Sequence, residues 1–117
     1  MIEERLAELG ITLPEPAAPV ASYVPTVEAN GMLFISGQIS FFDGQLMTGK
    51  VGAERNEADG ILAAQSCGLM LIAQLKKALG SLDRVERIVK LGVFVASTPD
   101  FNAHPKVANG ASDLMEA

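Results

Sequence analysis

The apolar positions of this chain fall into two rhythms, a helical spacing of three and four and short continuous runs, and polar punctuation separates them. In MIEERLAELG, residues 2 to 9 place Ile2, Leu6 and Leu9 on one helical face, and Gly10 suits a C-terminal stop. The closely spaced prolines of LPEPAAPVA exclude helix and central strand, which predicts an extended connector. SYVPTVEA then reads as a strand that includes Tyr23, with Pro25 marking an edge or bulge. Asn30-Gly31 is the preferred type I′ pair, because both central positions need positive φ. Residues 20–29 are therefore expected to pair antiparallel with 32–39, and Asp43-Gly44 offers a second turn.

From Glu57 to Leu79 the rhythm becomes helical, with Ile61, Ala64, Gly68, Leu71 and Leu75 on one stripe. Such a helix runs ~35 Å at 1.5 Å per residue. Gly80 fits the position after its end, and Lys76 and Lys77 suit the negative pole of its dipole. Its central turns are apolar nearly all round, as expected of a helix pressed onto a sheet. RIVKLGVFVAS is rich in β-branched residues and predicts a third strong strand. STPDF signals another helix start, and residues 105 to 116 carry Val107, Ala111 and Leu114 or Met115 at helical spacing. The order helix, β, β, α, β, α predicts an α+β fold with two helices on one face of a mixed sheet. A sheet of three or four strands keeps an open edge, and such edges usually find a partner.

Composition narrows the partners. The 117 residues suit a single domain, 49% hydrophobic and 20% charged, with no Trp, one Tyr and five Phe. The formal charge is −5, and the nine basic residues are scattered rather than clustered. Polyanion binding needs basic clusters, so nucleic acid is not the expected partner. One cysteine excludes an intrachain disulfide and fits a reducing, cytoplasmic setting. The acidic N-terminus lacks the basic and apolar regions of a signal peptide. The longest apolar region, 61 to 75, contains Gln65, Ser66 and Gln74 and is shorter than the ~20 residues of a membrane span, so no membrane partner is expected.

Candidate chemistry is sparse. Cys67, between Ser66 and Gly68, fits a small buried helix position better than a reactive thiol. His104 is the sole histidine, which argues against a metal site. Counting leaves a Ser-His-Asp arrangement open, although Ser36 lacks the strand-to-helix elbow of a hydrolase nucleophile. GKVGAERN matches no phosphate-loop spacing. Tyr23 is either a half-buried strand aromatic or a site residue. Asn109-Gly110 is either a helix bend or early end, or a carboxamide aimed at a pocket. Ser36-Gly37-Gln38 follows the apolar run Met32–Ile35 and by itself reads as a strand end with a bulge at Gly37.

Taken in order, PAAPVASYVPTVEANGMLFISGQIS, the long helix, GSLDRVERIVKLGVFVASTPDF and KVANGASDL resemble the YjgF/YER057c/UK114 family, also called RidA. The resemblance runs from about Pro16 to the end, and its most specific parts are the apolar run before SGQ and the VKLxVFV strand before DF. The N-terminal helix and VANGASDL resemble one sub-branch. The resemblance implies a chorismate-mutase-like fold and a homotrimer with clefts between subunits. It also implies hydrolysis of enamine and imine intermediates to 2-oxo acids and ammonia, without a cofactor. Tyr23, Ser36, Gly37 and Asn109 would then bind substrate, and no catalytic residue is assigned. Gly37 is expected where a ligand or neighbouring backbone comes close. The family's carboxylate-binding arginine belongs to a strand beyond the last helix, and a glutamate that handles water comes later still. The sequence stops at Ala117 before both, and none of Arg5, Arg55, Arg84 or Arg87 lies in the matching motif.

Overall fold

A computed structural model describes residues 2–16, 18, 22–42 and 45–117, with Phe42 described through its backbone. The elements are α1 (Ile2–Glu8), β1 (Thr26–Ala29), β2 (Met32–Ile35), β3 (Phe41–Phe42), β4 (Gln45–Leu46), α2 (Glu57–Leu79), a 3-10 turn (Leu82–Arg84) and α3 (His104–Glu116). They make an α+β protein whose contacts group into two units. One comprises Met1–Gln38 with Leu69–Arg87, the other Ile39–Gly68 with Ile88–Ala117, and α2 runs from one into the other.

In the first unit, α1 ends as its sequence predicts. Gly10 has φ 70° and donates to Ala7 O at 3.1 Å, while Ile11 N donates to Leu6 O at 2.9 Å, the paired bonds of a Schellman cap. The apolar face of α1 is not buried, and Ile2 and Leu9 remain exposed. What anchors the helix is Glu3. Its carboxylate accepts from Lys76 Nζ at 2.9 Å, Ser81 Oγ at 3.2 Å and Leu82 N at 3.4 Å. Leu82 itself is only 1% exposed.

β1 and β2 form the expected hairpin, in the register Thr26↔Ile35 to Ala29↔Met32. Asn30 (φ 52°) and Gly31 (φ 75°) supply the two left-handed positions of its turn. The first strand is shorter than its pattern suggests. It begins at Thr26, directly after Pro25, which has no N–H to donate, so Tyr23 stands before the strand and not within it. Val20 and Ala21 of the expected strand lie outside the described residues, as do Asp43 and Gly44. The strands flanking that second turn do pair, Phe41 with Leu46 and Phe42 with Gln45.

α2 has the predicted bounds. Asn56 Oδ1 accepts from Asp59 N at 2.8 Å and Asp59 Oδ2 accepts from Asn56 N at 3.1 Å, a reciprocal cap on its first turn. Gly80 (φ 78°) closes the other end by donating to Lys76 O at 2.8 Å. By length and composition alone α2 could cross a membrane, and 44% of its apolar window is buried within the protein. The core helix of a compact protein meets the same criterion. Its Met70, Ile72, Ala73 and Leu75 are buried in the first unit, and Ala64 in the second.

In the second unit, α2 offers Gly60, Ala64 and Gly68, one turn apart, to α3. A Cβ on Gly60 would stand 3.0 Å from Val107, and one on Gly68 would stand 3.0 Å from Leu114. Gly110 returns the fit, since a Cβ there would collide with the Ile61 carbonyl. Ala64, Val107 and Ala111 form the resulting core, with Val95 and Phe101 against it. Helix α3 is continuous through Asn109-Gly110, so that pair is neither a bend nor an early end. The glycine is there for close helix packing.

The predicted strand over 87–97 departs most from its pattern. It joins no ladder and binds only at its C-terminal end, where Val51 N donates to Ala96 O at 2.9 Å and Thr98 N donates to Val51 O at 3.0 Å. The described residues therefore contain two two-stranded antiparallel sheets and isolated parallel bridges at Val51, not one mixed sheet. The reason is physical: β-branched residues favour extended backbone, but a strand needs a partner's N–H and C=O groups. Val95 packs on the helices while Val89 and Phe94 are 70% and 99% exposed, so the cover is local to Val95 and much of the segment is bare.

Candidate functional site

β2 ends at Ile35, and the next three residues turn its polar groups outward in an ordered way. Ser36 donates twice to the Pro25 carbonyl, from its backbone N at 2.9 Å and from Oγ at 3.2 Å. With its proton committed, the Ser36 hydroxyl keeps its lone pairs for a ligand donor. Gln38 Nε2 donates to the Ser36 carbonyl at 3.0 Å. Gly37 between them is exposed, and open space surrounds the place a Cβ would take. Within the described residues nothing approaches Gly37 closely, and the ladder stops before it rather than bulging there. Among the described residues its N–H has no acceptor. The lip accordingly presents one acceptor and one donor side by side, which suits a ligand carrying an N–H or water next to a carboxylate or oxo group.

Behind the lip stands Gln74 of α2, only 1% exposed, whose Nε2 donates to Gln38 Oε1 at 3.4 Å. Sequence reasoning treats Gln74 merely as an interruption of the apolar run. Its signal was a carboxamide on the buried face of a helix, where burial without a partner costs at least ~1–3 kcal/mol.

Two further expected site residues are Tyr23 and Asn109. Tyr23 is 44% exposed in the bend before β1. Asn109 is exposed on α3 and accepts from Ser112 Oγ at 3.2 Å. Tyr23, Ser36 and Gly37 belong to the first unit and Asn109 to the second. Cys67 is partly buried, and that burial pushes its thiol up, away from the thiolate a nucleophile needs. His104 has a partner the spacing did not reveal: Ser97 Oγ lies 2.9 Å from its Nε2, and the Phe101 ring meets the imidazole edge-on at 5.1 Å. Both contacts follow from the 97–104 turn folding back on the start of α3. Three arginines make contacts within the chain, Arg5 to Glu8 Oε2 at 3.1 Å, Arg55 to Thr48 O at 2.8 Å and Arg84 to Leu79 O at 3.1 Å.

A family described as "YjgF/chorismate mutase-like, putative endoribonuclease" matches residues 3–117. The chain belongs to this family. Protein TCP17 of Trypanosoma cruzi is 47% identical over 115 residues, which is 97% of this chain and 72% of TCP17. The mitochondrial protein mmf1 of Schizosaccharomyces pombe is 34% identical over 85 residues, 73% of this chain and 45% of mmf1. Among solved structures, Agrobacterium tumefaciens Atu1372, of unknown function, superimposes with a TM-score of 0.84 at 42% identity, over 97% of this chain and 69% of its own. A Shewanella oneidensis MR-1 protein described as a "putative endoribonuclease" gives a TM-score of 0.86 at 36% identity, over 96% and 75%. The fold of this chain is therefore the YjgF fold, and the lip at Ser36-Gly37 sits on a YjgF hairpin.

Proposed function

We propose that this YjgF-family chain acts as a RidA-like deaminase that hydrolyses enamine and imine intermediates of the 2-aminoacrylate type. The observation that carries the proposal is the ordered lip at Ser36-Gly37, with an oriented hydroxyl oxygen and an outward N–H. An imine carbon is already electrophilic. Water adds to it, the proton moves to nitrogen, and ammonia leaves the carbinolamine to give a 2-oxo acid. Protein groups need only hold the substrate and place that water. Ser36 Oγ would accept from the imine N–H or the water, and Gly37 N–H would donate to the oxo or carboxylate end. Tyr23 and Asn109 would complete the pocket in a homotrimer, across clefts between subunits.

The test adds the full-length natural protein to a threonine dehydratase reaction. Ammonia and 2-oxobutanoate should appear faster in proportion to the protein added, and no acceleration sinks the reading.

A second reading is a 2-oxo acid binder without turnover, held by the same acceptor and donor at Ser36-Gly37. Thermal stabilisation by 2-oxobutanoate without ammonia release would select it. The endoribonuclease in the family's description fits the charge of −5 poorly. Salt-independent or absent RNA binding disposes of it.

A further inference from the structure

We propose that Gln74 is a positioning residue, which sets the direction of the Gly37 N–H through Gln38. The inference rests on the lip being the ligand-binding group of the reading above, but its geometry stands within one unit of the chain.

The chain of contacts has a direction that its chemistry dictates. The Ser36 carbonyl can only accept, so the Gln38 atom 3.0 Å from it is the NH2 end of the carboxamide. That leaves Gln38 Oε1 facing Gln74, and an oxygen there requires the donor end of Gln74, 3.4 Å away. The Ser36–Gly37 peptide is trans, as are the other described peptides. In a trans peptide the C=O and N–H lie in one plane and point in opposite directions. Holding the Ser36 carbonyl toward Gln38 therefore turns the Gly37 N–H away from it, toward solvent and any ligand.

At 3.4 Å the Gln74–Gln38 bond is weak, so its contribution lies in direction more than in strength. Without it the Gln38 carboxamide keeps only its own bond to the Ser36 carbonyl, and Gly37, with open space around it and no side chain, adds little to stop the peptide from turning over. Gln74 can hold direction because it cannot move: it is 1% exposed, between Ala73 at 3% and Leu75 at 9% on a long helix. Ser36 is held independently by Pro25, so the relay governs the peptide and not the hydroxyl.

The experiment compares Gln74→Met and Gln38→Met, which keep chain length and lose the hydrogen bond, with their double variant and with exposed Gln65→Met on the same helix as control. The first readout is the backbone amide of Gly37 by NMR. Its heteronuclear NOE should fall in both single variants and no further in the double, and should hold in Gln65→Met. The second is kinetic: KM for the imine, or the dissociation constant of 2-oxobutanoate as probe, should rise roughly fivefold, the equivalent of one hydrogen bond, with kcat changed less than twofold. A melting temperature within about 3 °C of wild type separates positioning from general loosening. An unchanged Gly37 amide in Gln74→Met, or effects that add in the double variant, overturns the inference while leaving the deaminase reading intact. If wild type neither turns over imine nor binds 2-oxobutanoate, the deaminase reading fails, and the Gly37 amide alone then decides for or against the relay.

Discussion

The hairpin over 26–35 and the segment over 87–97 are written in similar residues and meet different fates. Both carry β-branched and aromatic positions, and both look like strands. The hairpin pairs in a fixed register because Asn30 and Gly31 bring its two halves together within ten residues. The later segment has no turn to return it to a partner. It is tied to Val51 at one end, and Phe94 is left 99% exposed. Propensity favours extended backbone in both, whereas pairing depends on something close in sequence or supplied by the tertiary fold.

That contrast can be broken in stages. The largest effect belongs to Gly110→Val. The added side chain meets the Ile61 carbonyl, forces α3 away from α2 and removes the surface under Val95, at a cost of about 3 kcal/mol in urea unfolding. Gly31→Val attacks the local side. A branched residue at φ 75° should cost about 1–2 kcal/mol and weaken the β1–β2 cross-strand NOEs, with the second unit unaffected.

A smaller effect is expected from Glu3→Gln at the α1 anchor. The hydrogen bonds from Lys76 and then Ser81 hold the Glu3 carboxyl below its ordinary value of 4.5. A depressed folded pKa gives stability that is present above the unfolded pKa and disappears as pH falls through the folded one. The wild type should thus exceed Glu3→Gln in melting temperature at pH 7, and the gap should close below pH ~4. A gap that persists at pH 3 would show that charge is not its origin. Phe94→Ser should change the unfolding free energy of the isolated chain least, by under about 0.5 kcal/mol. Its size by light scattering carries the sharper information. If the proposed homotrimer covers Phe94, this variant dissociates while keeping its melting curve, and an intact trimer places the interface elsewhere.

Legibility followed the same division. Helices α1, α2 and α3, the glycine stops of α1 and α2 and the Asn30-Gly31 turn could be read because caps and turns are determined by residues a few positions apart. The lip at Ser36-Gly37 was visible as polar residues after an apolar run. Its supports were not. Gln74 is 36 positions from Gln38, and Ser97 meets His104 only because the chain folds back, so no periodicity announces either. Gly110 was legible as an anomaly whose meaning was missed, since a helix-breaking residue and a close-packing one look alike in sequence.

By itself, then, the sequence determined the helices, their ends, the hairpin and the family to which the chain belongs, because each rests on short-range backbone preferences or on an ordered set of motifs. Only the tertiary structure decided that Gly60, Gly68 and Gly110 admit one helix against another, and that a buried carboxamide stands behind the lip. It also decided that the most strand-like segment pairs at one end alone. Those outcomes depend on what lies across space from each residue, and hydrogen bonds and packing reward partners that no local pattern names.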